Sequence, residues 1–108
     1  ELRAHPENAD AWYNKGLALS ILGRYGEAVT CYTRALEADP ARVEVWNMKG
    51  DALVIMERCE EAIDCYDRAL AANPDDADAL KGMAMAHISL DRHVEAVKYY
   101  ERLQRLPR

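Results

Sequence analysis

The sequence predicts an all-α fold in which antiparallel helix hairpins stack side by side into a solenoid. Three observations support this prediction: a 34-residue period, apolar residues at helical spacing inside each period, and glycine or proline at the breaks. The composition agrees, because Ala and Leu dominate the apolar residues, Phe is absent and β-branched residues are sparse. A chain of 108 residues suits one domain of such hairpins.

The period is clearest when Ala9–Arg42 is laid over Val43–Asp76, which gives 16 identities without a gap. A third copy starts at Ala77 and is more diverged. The residues that it shares with both earlier copies at the same positions include Arg92, Glu95, Ala96, Tyr100 and Arg102. The expected units are the tail of a preceding repeat at 1–8 and three repeats at 9–42, 43–76 and 77–108.

Each unit divides into two helices. A first break lies at Gly23, a good helix terminator, and Glu57 and Asp91 take its place in the later units. Asp tolerates the left-handed turn of such a break fairly well, whereas Glu does so less. The second break lies at Pro40 and Pro74, since proline ends one helix and permits the next to begin.

The residues at fixed places in these units resemble the tetratricopeptide repeat, whose pattern is W-x₂-L-G-x₂-Y, then A-x₃-F, then P. The first unit has Trp12, Lys15, Gly16, Leu19, Ala28, Tyr32 and Pro40. The second has Trp46, Lys49, Gly50, Leu53, Ala62, Tyr66 and Pro74. The third has Leu80, Met83, Ala84, His87, Ala96 and Tyr100, with Pro107 one residue early. The resemblance covers Ala9 to the C-terminus and implies a right-handed superhelical solenoid with a concave surface.

Composition and charge exclude several classes of partner. The net charge is −5 and no basic stripe is visible, so nucleic acid is not expected as a partner. The longest apolar run, 52–56, is far shorter than a membrane span, so no membrane partner is expected. Cys31, Cys59 and Cys65 form no CxxC, and we expect buried, reduced thiols in a cytoplasmic protein.

No residue pattern indicates catalysis, a cofactor or a metal. His5, His87 and His93 lack metal-ligand spacing, and no nucleophile elbow, phosphate loop or dinucleotide fingerprint occurs. His87 stands where the other units have Leu19 and Leu53, so we expect a partly buried histidine with its hydrogen bonds satisfied. The chain is therefore not predicted to be an enzyme.

The resemblance implies that the first helix of each hairpin lines the concave surface and binds a protein or peptide. Steps of three, four and three keep the inward positions on one helical face. The candidate binding residues are Asp10, Tyr13, Asn14, Leu17, Ser20, Glu44, Asn47, Asp51, Val54, Asp78, Lys81, Met85 and Ile88. This mixture predicts a partner that is neutral or basic and carries apolar anchors. The alternative is that Asp10, Glu44 and Asp78 only favour the dipole of a first helical turn, which leaves Asp51 unexplained.

The resemblance also brings two known binding patterns that this sequence lacks. Family members that grip acidic chaperone C-termini use Lys, Asn and Arg at inward slots, which here hold Tyr13, Leu17, Met48, Asp78 and Gly82. Long arrays can carry an asparagine ladder at the sixth position, which here reads Asn14, Met48 and Gly82.

The predicted function is a protein-interaction scaffold. A self-assembly module and the regulatory arm of a larger enzyme stay open as alternatives. Leu2 and Pro6 stand 34 residues before Leu36 and Pro40, so the chain reads as a piece of a longer array whose exposed ends could stack head to tail. A monomer whose last helix covers its apolar end with arginine stems is the opposing expectation.

Overall fold

The computed structural model describes residues 6–107 and places six helices in that range. They are α1 (Pro6–Ile21), α2 (Tyr25–Ala38), α3 (Val43–Ile55), α4 (Cys59–Ala72), α5 (Ala77–Ser89) and α6 (His93–Gln104). Each odd-numbered helix pairs with the one after it, and each hairpin stacks on the next through α2 with α3 and α4 with α5. The all-α solenoid predicted from the sequence is confirmed. The prediction for Glu1–His5 lies outside the described residues.

The turn inside each hairpin has the same geometry in all three units. Gly23, Glu57 and Asp91 have φ values of 81°, 63° and 59°, in the left-handed region. In the first turn Arg24 N–H donates to Leu19 C=O at 2.8 Å, and the later turns repeat this bond. This is the pattern of a Schellman motif, and it satisfies carbonyls that would otherwise be orphaned at the helix end.

We expect Glu57→Gly to stabilise the protein by roughly 0.5–1 kcal/mol, because a side chain at a left-handed position costs about 1–2 kcal/mol and glycine carries no such cost. The gain is smaller than the full cost because glycine also adds freedom to the unfolded chain. Urea unfolding followed by circular dichroism measures it. The reverse change, Gly23→Ala, should destabilise; a Glu57→Gly protein less stable than the parent would contradict this reading of the turn.

The loops between hairpins use the residue before proline as an anchor. The Asp39 carboxylate accepts a hydrogen bond from Ala41 N–H at 3.2 Å, and the Asn73 side-chain oxygen accepts one from Asp75 N–H at 3.3 Å. Such Asx turns hold the chain as it reverses into the next first helix. The second break predicted at Pro40 and Pro74 therefore falls where the sequence put it.

The interior consists of two apolar clusters, each centred on a tyrosine of a second helix. Tyr32 and Tyr66 are almost completely buried, at 0% and 1% exposure. A Cβ added at Gly16 would lie 2.5 Å from the Tyr32 ring, and one added at Gly50 would lie 2.8 Å from the Tyr66 ring. These glycines therefore permit close approach of the helices, and the tyrosine ring fills the gap.

Candidate functional site

Two adjoining pockets lie along α3 and α5 and share Asp51 and Asp78, and we call them together the inner groove. Its apolar half, of about 320 Å³, is lined by Asp51, Val54, Ile55, Tyr66, Asp78, Lys81, Gly82 and Met85. Its polar half, of about 480 Å³, is lined by Tyr13, Val43, Glu44, Asn47, Met48, Asp51, Asn73, Asp76 and Asp78. Asp51 and Asp78 border both halves, so two carboxylates stand at the middle of the groove.

The Asp51 carboxylate is hydrogen-bonded to a buried core residue, Tyr66. The Tyr66 hydroxyl donates a hydrogen bond to it at 2.5 Å, across the gap that Gly50 and Gly82 leave between the helices. Asp51 keeps an exposed surface, yet the groove walls remove much of the water around its carboxyl group. This desolvation raises the pKa of Asp51, the Tyr66 bond opposes the rise, and nearby Asp78 adds to it. Burial, followed by the bond to Asp51, raises the pKa of the Tyr66 hydroxyl.

We expect Asp51→Asn to be at least as stable as the parent at neutral pH. A carboxyl whose folded pKa is raised contributes stability below its unfolded pKa and loses it as pH rises through the folded pKa. Asparagine removes that loss while its amide oxygen can still accept from Tyr66. Thermal unfolding between acidic and neutral pH measures the difference, which should widen towards neutral pH. An Asp51→Asn protein with a much lower melting temperature at neutral pH would show that the charge itself stabilises the fold.

Asn47 forms the floor of the polar half. It is buried, and its Nδ2 donates to the Asp76 carboxylate at 2.6 Å, which ties α3 to the loop before α5. Its Oδ1 is buried without a hydrogen-bond partner among the described residues. Asn47, a predicted inward contact, lies buried between two hairpins at the base of the groove.

The structure brings together most, but not all, of the predicted binding residues. Those that line the inner groove are Tyr13, Glu44, Asn47, Asp51, Val54, Asp78, Lys81 and Met85. The remaining ones, Asp10, Asn14, Leu17, Ser20 and Ile88, do not line it. Asp10 forms an ion pair with Arg42, Leu17 packs on the core of the first hairpin, and Ser20 bonds the Tyr32 hydroxyl at 3.0 Å.

Several lining residues were missed because they are outside the first-helix pattern. Asn73 and Asp76 come from the loop after α4, and Tyr66 reaches the groove from a second helix. Ile55, Val43, Met48 and Gly82 sit on the first helices, one position away from the predicted face. The Asx-turn signal at Asn73-Pro74 could have identified the loop residues.

Charge in the inner groove is predominantly negative. Glu44 lies 4.0 Å from the Arg42 guanidinium, which also pairs with Asp10 outside the groove, so the charge of Glu44 is partly neutralised. Asp51 and Asp78 have no ion pair among residues 6–107, and Lys81 is the cation lining the groove beside them. The middle of the groove therefore offers hydrogen-bond acceptors to a cationic group.

Cys31, Cys59 and Cys65 are buried and free, as predicted, and burial raises the pKa of the Cys65 thiol to about 11. Among residues 6–107 no three His, Cys, Asp or Glu side chains converge as metal ligands would. None of the described helices has the length and apolar character needed to cross a bilayer.

His87 is buried as predicted, but the expectation that its hydrogen bonds would be satisfied is wrong for one ring atom. Its Nδ1 has no partner among the described residues. The imidazole stacks on Tyr99 with the ring centroids 5.6 Å apart and the planes at 9°. The equivalent positions hold Leu19 with Cys31 and Leu53 with Cys65. Asp67 and Glu95 line the same pocket as His87, but neither is hydrogen-bonded to its Nδ1.

Comparison with known proteins agrees with the fold of stacked helix hairpins. Models of the tetratricopeptide repeat match residues 9–41 and residues 47–108. The first TPR of Spaghetti (RPAP3), solved with the HSP90 peptide SRMEEVD, is 28% identical, with a TM-score of 0.88 over 91% of this chain and 78% of that one. A structure of MamA is 27% identical, with a TM-score of 0.85 over 94% of this chain and 60% of its own.

One curated relative matches only part of the chain. An uncharacterized protein of Methanocaldococcus jannaschii is 54% identical over 35 residues. That segment is 32% of this chain and 41% of the relative, which is about the length of a single repeat unit.

Proposed function

Because the chain belongs to the tetratricopeptide repeat family, whose members serve as protein-interaction scaffolds, we propose that its inner groove holds an extended segment of another protein. The segment carries Lys or Arg beside apolar anchor residues. Its cation lies between Asp51 and Asp78, and its apolar side chains contact the apolar half of the groove.

The observation that supports this proposal is the position of Asp51 and Asp78 at the border of two chemically different halves. Val54, Ile55 and Met85 lie on one side, and Ile55 and Met85 are about half exposed. An exposed apolar surface beside unpaired carboxylates suits a ligand with both kinds of group. The helix-dipole explanation given for Asp78 does not apply to Asp51, which lies well inside α3.

The HSP90 peptide bound by the first TPR of Spaghetti is rich in acidic residues. The slots at which chaperone-binding relatives place Lys, Asn and Arg here hold Tyr13, Leu17, Met48, Asp78 and Gly82. An acidic peptide in this groove would face Asp51 and Asp78 at close range, and like charges repel. We therefore propose a preference opposite to that of the Spaghetti domain.

Fluorescence anisotropy with short synthetic peptides tests the proposal. A peptide that alternates arginine and leucine should bind, and its affinity should fall as salt rises, because exposed charges are screened. A peptide with glutamate in place of arginine, and the SRMEEVD peptide, should bind at least about tenfold more weakly. Asp51→Lys and Asp78→Lys should each weaken binding of the arginine peptide about tenfold.

Asp64→Lys is the matched control, since it makes the same charge change on the outer surface of α4. It should leave affinity within about twofold, as expected for a distant screened charge. The proposal fails if Asp64→Lys weakens binding as much as Asp51→Lys, or if the acidic peptides bind as tightly as the basic one.

Three further properties belong to the same proposal. Of the proposed units 9–42, 43–76 and 77–108, the helix starts at Val43 and Ala77 support the last two beginnings, whereas α1 already starts at Pro6. Three buried, unpaired thiols suit a reducing compartment such as the cytoplasm. The role is one of holding a partner and not of catalysis.

A further inference from the structure

Two alanines of α1 are exposed at positions whose counterparts in α3 and α5 are buried. Ala11 and Ala18, one heptad apart, are both exposed. Their counterparts 34 and 68 residues later are almost completely buried: Val45, Ala52, Ala79 and Ala86. Leu22, which directly follows α1, is 67% exposed, whereas its counterparts Met56 and Leu90 are partly buried. We call the surface of Ala11, Ala18 and Leu22 the α1 face.

The opposite end of the solenoid shows the complementary pattern. Tyr100 is 36% exposed, whereas Tyr32 and Tyr66, its counterparts, are buried. Val97 is 53% exposed, whereas its counterparts Val29 and Ile63 are partly buried against the clusters. Val94 extends this surface by one more turn and is also exposed. We call the surface of Val94, Val97 and Tyr100 the α6 face.

The two faces are the two sides of an interface that the chain already contains twice. Tyr32 of α2 shares one cluster with Val45 and Ala52 of α3. Tyr66 of α4 shares the other with Ala79 and Ala86 of α5. The α6 face therefore corresponds to the surfaces by which α2 and α4 contact the next hairpin. The α1 face corresponds to the surfaces of α3 and α5 that they contact.

We infer that a second copy of this chain docks its α1 face on the α6 face of the first, head to tail. Such a contact continues the spacing of the internal hairpins and is heterologous, so each added copy leaves a free face at both ends of the growing array. This inference is independent of the proposed groove ligand, because neither face includes a lining residue of the inner groove.

The contact between copies is weaker than the internal interfaces because its two faces are more polar and smaller. Gln104 is exposed at the place where Leu36 and Leu70 are buried, so part of the α6 face is polar. Ala11 is also smaller than Val45 and buries less apolar area. Association is therefore concentration-dependent, with exchange between monomer and short arrays.

Sedimentation velocity over about two decades of protein concentration measures the association. The average mass of the 108-residue chain should rise with concentration. Ala18→Arg, which blocks the α1 face, and Val97→Arg, which blocks the α6 face, should each weaken association at least about tenfold. Ala71→Arg, on an exposed site of α4 away from both faces, is the matched control and should associate like the parent.

Mixing the two blocked variants distinguishes this geometry from any other. Ala18→Arg keeps an intact α6 face, and Val97→Arg keeps an intact α1 face. An equal mixture should therefore form a dimer of twice the 12.2 kDa chain mass and no larger array. Circular dichroism confirms that both variants are folded. Association that persists in either variant alone, a mixture that stays monomeric, or a parent chain that stays monomeric at the highest concentration would each overturn the inference. The last result would assign the two faces to other occupants, such as further repeats.

Discussion

Replacing Gly82 with alanine is expected to lower the free energy of unfolding by about 2–3 kcal/mol, within the range known for overpacked cores. A Cβ at this position would lie 2.4 Å from two atoms of the Tyr66 ring. The ring cannot move away freely, since a Cβ at Gly50 would meet it from the other first helix at 2.8 Å. Relief would require the second and third hairpins to separate and break the Tyr66–Asp51 hydrogen bond.

Gly26→Ala is the control for this experiment. Gly26 also lies in a helix, but a Cβ there would have its nearest neighbour, the end of the Met56 side chain, at 3.9 Å. Alanine should therefore stabilise by about 0.5–1 kcal/mol through helix propensity and reduced freedom of the unfolded chain. Denaturant unfolding of both variants gives the comparison. If Gly82→Ala were as stable as Gly26→Ala, the wedged tyrosine would not determine the spacing between hairpins.

Trp46→Ala is expected to destabilise the protein by about 2–4 kcal/mol, somewhat less than truncation of a fully buried tryptophan. The half-buried indole packs against both apolar clusters, so its loss leaves a gap between the first and second hairpins. Arg68 and Lys49 lie over its ring at 5.3 and 5.7 Å, which adds a cation–π contribution. Thermal unfolding measures the loss.

Trp46→Phe separates packing from hydrogen bonding at the same site. The indole Nε1 donates to the Pro40 carbonyl at 2.9 Å, and phenylalanine removes that donor while keeping an aromatic ring. We expect it to cost about 1 kcal/mol. A phenylalanine variant as unstable as the alanine variant would mean that the hydrogen bond, and not the filled space, joins the hairpins.

The fold could be predicted because each of its breaks has a local cause. Gly23 and Asp91 favour the left-handed turn, and Pro40 and Pro74 stop the preceding helix. Glu57 favours that turn less, and the 34-residue period identified it correctly.

The residues of the groove could be predicted only in part. The helical spacing of a sequence does not show which side chains from other helices and loops extend into the groove. The sequence placed Tyr66 at the same position of the repeat pattern as Tyr32, and nothing in that pattern showed that its hydroxyl would bond Asp51 on the groove surface. That contact depends on the gap left by glycines in two separate helices. Asn47 lies on the predicted face, but its side chain is hydrogen-bonded to Asp76, a residue of the loop before α5.

The measurement that tests the central claim most directly is an NMR titration of the labelled protein with the arginine–leucine peptide. The claim is that the ligand occupies the inner groove. It predicts that the largest chemical-shift changes occur at Asp51, Val54 and Met85, with little change at Thr30 and Asp64 on the outer helices. Changes centred on Thr30 and Asp64, with the groove signals unmoved, would contradict it.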